Sequence, residues 1–100
     1  MSDYSFWFYK ETVAGPDGVL PLISDWIKQH EQLCHWILPD STIPSDSVVI
    51  GNRKEHIPAL KQARIAIGFG KIAPIEEETL LIVTHAAYSE EVLCQFLKQL

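Results

Sequence analysis

The 100-residue sequence predicts a single α/β domain. Short β-branched or aromatic stretches read as strands, two longer stretches repeat apolar residues at helical spacing, and the two kinds alternate along the chain. The resulting order, β-α-β-(α)-β-β-α, implies a parallel crossover at the front and an antiparallel pair near the end. It predicts a single-layer mixed sheet of about four strands with two main helices. Thioredoxin-like topology fits that order, and ferredoxin-like topology fits it if residues 54–62 are loop. No linker, internal repeat or low-complexity tract divides residues 1–100. At this length folding hides roughly two-thirds of the unfolded surface, enough for one core.

The first element, residues 4–10, places five rings in six positions: Tyr4, Phe6, Trp7, Phe8 and Tyr9. Side chains alternate across a strand, so large rings stand on both faces. A central strand covered on both sides explains this best, with helices 19–38 and 89–100 each covering one face. A docking surface in which one face stays open comes second, because Tyr and Trp are enriched at interfaces. A base-stacking platform comes last, since it needs a positive groove and Lys10 is the only nearby cation.

"AGPDG" at 14–18 is turn chemistry. Val19, Leu22, Ile23, Trp26, Ile27, His30, Leu33, Cys34 and Ile37 then follow one helical stripe, with Pro21 in the first turn and Pro39 at the end. After the loop "PDSTIPSD" at 39–46, "SVVIG" at 47–51 reads as a buried strand. Residues 54–62 have weak helical periodicity, and Pro58 suits a first turn. "ARIAIGFGK" at 63–71 alternates as a strand whose Gly68 and Gly70 leave one face nearly bare. "TLLIVT" at 79–84 has no polar face and is predicted to be a central strand. Ser89 caps a final helix, with Glu90 and Glu91 at its positive end and Val92, Leu93, Phe96, Leu97 and Leu100 on its buried stripe.

Eight basic and thirteen acidic residues give a formal net charge of −5. That weighs against nucleic acid and anionic membranes, which are bound through Lys and Arg. No apolar run approaches the ~20 residues of a membrane helix, and the N-terminus lacks a basic region followed by an apolar run. Cys34 and Cys94 are too few for a disulfide framework and fall in helical patterns, so they read as reduced core thiols of a cytoplasmic protein. The C-x-x-C redox signature of a thioredoxin-like site is absent. His30 with Cys34, and Glu31 with His35, are four apart, but each pair is only half a zinc site. "GFGK" at 68–71 lacks the glycine-framed turn of a phosphate loop, and neither G-x-S-x-G nor H-E-x-x-H occurs. No catalytic residue, metal or cofactor is therefore assigned.

The leading functional expectation is a small acidic, non-enzymatic protein-binding module. It has the physical profile of inhibitors and of immunity or anti-defence proteins, and would bind a basic protein through Trp7, Tyr9, Glu76, Glu77 and Glu78. The first strand is also a candidate homodimer interface. The alternative is an anionic small-molecule binder or small enzyme. There Arg53, Lys54 and His56, after strand 47–50, would meet His85 and Tyr88, after strand 79–83. Ligands of open α/β sheets bind beyond the carboxyl ends of the strands, so this alternative needs the two strands to be parallel neighbours.

Overall fold

The computed structural model describes residues 4–100. In chain order the elements are β1 (Ser5–Phe8), α1 (Lys10–Val13), β2 (Ala14–Gly15), β3 (Gly18–Val19), α2 (Pro21–Gln29), β4 (Cys34–Trp36) and β5 (Ser47–Gly51). A 3-10 turn (Lys54–His56) then runs into α3 (Ile57–Gln62), followed by β6 (Ile65–Phe69), α4 (Glu77–Leu80), β7 (His85–Ala87) and α5 (Glu90–Lys98). The main sheet has five strands in the order β4-β1-β5-β6-β7, and β2 with β3 forms a separate antiparallel hairpin. Every pairing in the main sheet is parallel. Numbered by their sequence within that sheet, the strands run 2-1-3-4-5, a common doubly wound order.

The α/β class therefore stands, with corrections of detail. The sheet has five strands rather than about four. No antiparallel pair closes it, so neither the thioredoxin-like nor the ferredoxin-like arrangement describes it. The stretch 79–84 is not a central strand. Thr79 and Leu80 end α4, Leu81 and Ile82 turn, and the strand at 85–87 lies on the sheet's edge. A strand starting at 79 would leave only residues 70–78, nine in all, to connect it to β6. A parallel crossover takes a dozen or more. Ile82 and Val83 instead pack down on the sheet, while Leu81 is 80% exposed.

The helix expected over 19–38 stops at Gln29 because His30 closes it. The His30 backbone N–H donates to the carbonyls of Trp26 and Ile27, and its ring bonds the Trp26 carbonyl and stacks on the Trp26 indole at 4.1 Å. Residues 34–36 then extend to pair with β1. Ladder formation along that otherwise open strand overrides a helical pattern. Cys34 is thus a strand residue, and burial pushes its thiol up to about 12.

On one face of the sheet Phe6, Phe8, Val48, Ile50, Ile67 and Phe69 pack beneath Ile23 and Trp26 of α2 and Leu93 and Leu97 of α5. Both long helices share this face, instead of taking one each. On the other face Trp7, Tyr9, Val49 and Ala66 meet Ile43, Ala59, Leu60, Ile82 and Val83, which come from a loop, α3 and the end of the α4 connection. So β1 is an interior strand with rings on both faces, as expected. Flanked by β4 and β5, it offers no edge to a second copy. Among the described residues, no helix is long and apolar enough to cross a membrane.

Ile67 is fully buried, and its replacement in Ile67→Ala is expected to cost about 2–5 kcal/mol. Leu81→Gln is expected to stay within about 0.5 kcal/mol. Urea unfolding of the two variants checks this, and a large loss for Leu81→Gln would restore 79–84 as a core strand.

Candidate functional site

From β1 the chain passes over one face through α2, and from β5 it passes over the other through α3. The exits of these neighbouring strands therefore diverge. This topological switch point is where open α/β sheets form their ligand crevice.

A buried polar network fixes both exits. The Thr12 hydroxyl donates to Asn52 Oδ1 at 2.8 Å, tying the chain after β1 to the chain after β5. His56 is 2% exposed. Its Nδ1 accepts the backbone N–H groups of Asn52 (3.1 Å) and Arg53 (3.2 Å). Those two donors leave Nδ1 no room for a proton, so the neutral ring carries its hydrogen on Nε2. Nε2–H donates to Glu11 Oε1 at 3.1 Å. Tyr9 stacks flat on the imidazole at 3.6 Å and 11°. A Cβ at position 51 would stand 2.9 Å from Nδ1, so the imidazole's close approach depends on Gly51. Burial holds the His56 pKa below its ordinary value, outweighing the hydrogen bond and charge of Glu11. Burial, then the Glu11 charge, pushes the Tyr9 hydroxyl up.

A charged shell lies outside this network. Arg53 Nη1 is 3.5 Å from Glu11 Oε2, and its Nε is 3.0 Å from Glu55 Oε2, with all three side chains about half exposed. Glu76 plays another part: its Oε1 accepts the Lys54 N–H at 2.9 Å, and its own N–H donates to the Asn52 carbonyl. The free N–H groups at the start of such a turn are the usual seat for an anion. Here those of Asn52, Arg53 and Lys54 are taken by His56 and Glu76.

Beside the network a cleft of ≈ 560 Å³ runs between Tyr9, Glu11, Glu55 and His56, the start of α3, and a wall of Ile37, Leu38 and Ile43 from the β4–β5 connection. That volume falls within the ~300–1,000 Å³ typical of ligand sites. The Ser41 hydroxyl, accepting the Leu38 N–H at 2.8 Å, pins the wall. Comparison with protein-family models, curated proteins and solved structures finds no match, so the site is read from its chemistry alone.

Of the expected docking set, Tyr9 lines the cleft. Trp7 stacks on His35 at 4.5 Å and donates its indole N–H to Ser5 Oγ. Glu76 caps the 3-10 turn, while Glu77 and Glu78 are exposed in the first turn of α4. Of the alternative set, Arg53 and His56 come together, and Lys54 contributes its backbone N–H. His85 and Tyr88 do not join them. His85 begins β7 instead of following a strand, and lies against Phe96. Tyr88 packs over Gly70. β7 is two places from β5, or about 10 Å at ordinary strand spacing. Among the described residues no group of three His, Cys, Asp or Glu side chains could hold a metal ion. Asn52, which follows strand 47–50 in the sequence reading's polar cluster, joins the network, whereas Glu11, Thr12 and Glu55 were missed by that reading. The switch-point rule could have found them once β4 was known to be a strand.

A base whose folded pKa is depressed takes up its proton first in the unfolded chain. The stability due to neutral His56 is therefore complete above about pH 6.5 and falls as pH drops toward the folded value, by up to about 1.4 kcal/mol per pH unit. His56→Asn keeps an acceptor near Nδ1 but does not titrate, and is expected to lose that slope in denaturation series from pH 7.5 to 4.5. Identical slopes in the two proteins would contradict the neutral, clamped imidazole.

Proposed function

We propose that the protein is a non-enzymatic binding module whose switch-point cleft receives a basic side chain of a partner protein. One observation carries the reading: the cleft sets two half-exposed carboxylates, Glu11 and Glu55, beside an aromatic and apolar wall, while the N–H groups that would hold an anion are engaged internally. Lys and Arg are amphipathic in the same sense, with an apolar stem and a charged head. The net charge of −5 favours encounter with a basic surface.

The chemistry of His56 supports binding over turnover. Both ring nitrogens are committed, one to two backbone donors and the other to Glu11, so the imidazole positions a carboxylate and has no lone pair free to take a proton from a substrate. The acidic docking idea thus keeps Tyr9, gains Glu11 and Glu55, and leaves Glu77 and Glu78 as a contribution to the surrounding field. The same proposal takes an inhibitor or immunity-type role as the class of function. Two free thiols, both with acidity suppressed chiefly by burial, are compatible with a reducing cytoplasmic setting. The anionic-ligand alternative has less support, because Glu76 already caps the turn after β5 and the cleft walls are acidic.

Calorimetry at low salt with short Arg- and Lys-containing peptides, against Glu-containing peptides of equal length, tests the reading. The basic peptides are expected to bind, and Glu11→Gln/Glu55→Gln is expected to weaken them about five- to tenfold, one partial-exposure ion pair per carboxylate. Preference for the acidic peptide, or indifference to the double substitution, would overturn the reading.

A further inference from the structure

The Arg53 guanidinium bridges the two carboxylates that line the cleft, yet Arg53 itself is not part of the cleft wall. Glu11 is oriented for this contact: His56 Nε2–H holds Oε1 and leaves Oε2 turned toward the cation. Each carboxylate therefore has one oxygen directed at a single planar cation. A guanidinium presents several donors in a fixed fork and can serve two carboxylates at once, whereas an ammonium acts as a point charge.

We propose that Arg53 is an internal occupant of a guanidinium seat made by Glu11 and Glu55, and that the cleft's ligand is a guanidinium group that displaces it. This rests on the reading of the cleft as a site for basic side chains and adds both the class of head group and the means of regulation. In the free protein Arg53 neutralises the two carboxylates and so suppresses their repulsion. An arriving arginine side chain enters from the open side, lays its stem along Tyr9 and Leu38, and takes over the carboxylates as Arg53 swings into solvent. The exchange trades one exposed ion pair for another at little net electrostatic cost. Selectivity then comes from the apolar wall, which Arg53 does not use.

The sign of one substitution separates this from ordinary recognition. If Arg53 competes with the ligand, removing its charge strengthens binding. If Arg53 recognises an anionic part of the ligand, removing it weakens binding. The probes are argininamide, which supplies the guanidinium as a free small molecule, a short Arg-containing peptide, and the matching Lys peptide. They are titrated by calorimetry into the full chain and into Arg53→Gln, Arg53→Lys and Glu11→Gln/Glu55→Gln. The expected result is binding about two- to fivefold tighter in Arg53→Gln, intermediate in Arg53→Lys, and tighter for Arg than for Lys probes throughout. Binding seen only after Arg53→Gln also supports the proposal, as complete occlusion in the parent chain. Equal strengthening for argininamide and peptide makes a free guanidinium compound sufficient. Strengthening for the peptide alone assigns the seat to a protein-borne arginine.

Weaker or unchanged binding in Arg53→Gln, or equal affinity for Arg and Lys probes, overturns the internal-occupant proposal while leaving the acidic cleft intact. Loss of no affinity in Glu11→Gln/Glu55→Gln, or no binding of any basic probe to the parent chain and to Arg53→Gln, overturns the cleft reading and the proposal with it. Thermal melts of each variant without ligand separate these outcomes from misfolding.

Discussion

Parallel strands cannot be joined by tight turns, so each connection in the main sheet must carry the chain across a face. Five parallel strands within 100 residues leave little chain for those crossings. The two nine-residue helices, α2 and α5, both go to one face. The other face has only the six residues of α3, the single turn of α4, and the helix-free stretch from Ile37 to Asp46. That unequal covering accounts for the ring-rich first strand. Phe6 and Phe8 lie in the deep layer, while Trp7 and Tyr9 supply bulk on the thin side that short elements cannot. It also accounts for the cleft, which opens where a loop stands in place of a helix.

The site separates two kinds of interaction. Inside, uncharged groups satisfy one another: Thr12 with Asn52, and neutral His56 with the backbone N–H groups of Asn52 and Arg53. Burying such groups unpaired would be costly, so the network is rigid or absent as a unit. Outside, Glu11, Arg53 and Glu55 form ion pairs screened by water, which hold little energy and exchange readily. Geometry is set by the first kind, and charge is offered by the second. His56 links them, being buried yet bonded to a half-exposed carboxylate.

Locally specified elements were legible in the sequence. "SVVIG" and "ARIAIGFGK" lie on interior strands, and their apolar content alone marks them. The last helix has its Ser89 cap, whose hydroxyl accepts the Val92 N–H, and the short helix over 54–62 shows its Pro58 signal. What failed depended on partners. Residues 34–36 carry helical spacing but extend because β1 needs a neighbour. Residues 79–84 look like a strand but are taken up by a crossover whose length only the topology fixes. Arg53 and His56 were placed correctly at the carboxyl end of a strand, since that follows from chain position. Glu11 and Glu55 were not found, because their meeting requires knowing that β1 and β5 are adjacent.

The bond between Thr12 and Asn52 makes the segments leaving β1 and β5 one rigid jaw. The opposing jaw, 37–43, continues from β4, is tied to β1 by the bond of the Ile37 N–H to the Phe8 carbonyl and is folded on itself through Ser41. The aperture between them is therefore governed by a helix-free connection, the part of a domain that best accepts added or deleted residues. Lengthening or trimming that stretch would resize what the protein admits without disturbing the carboxylates that receive it.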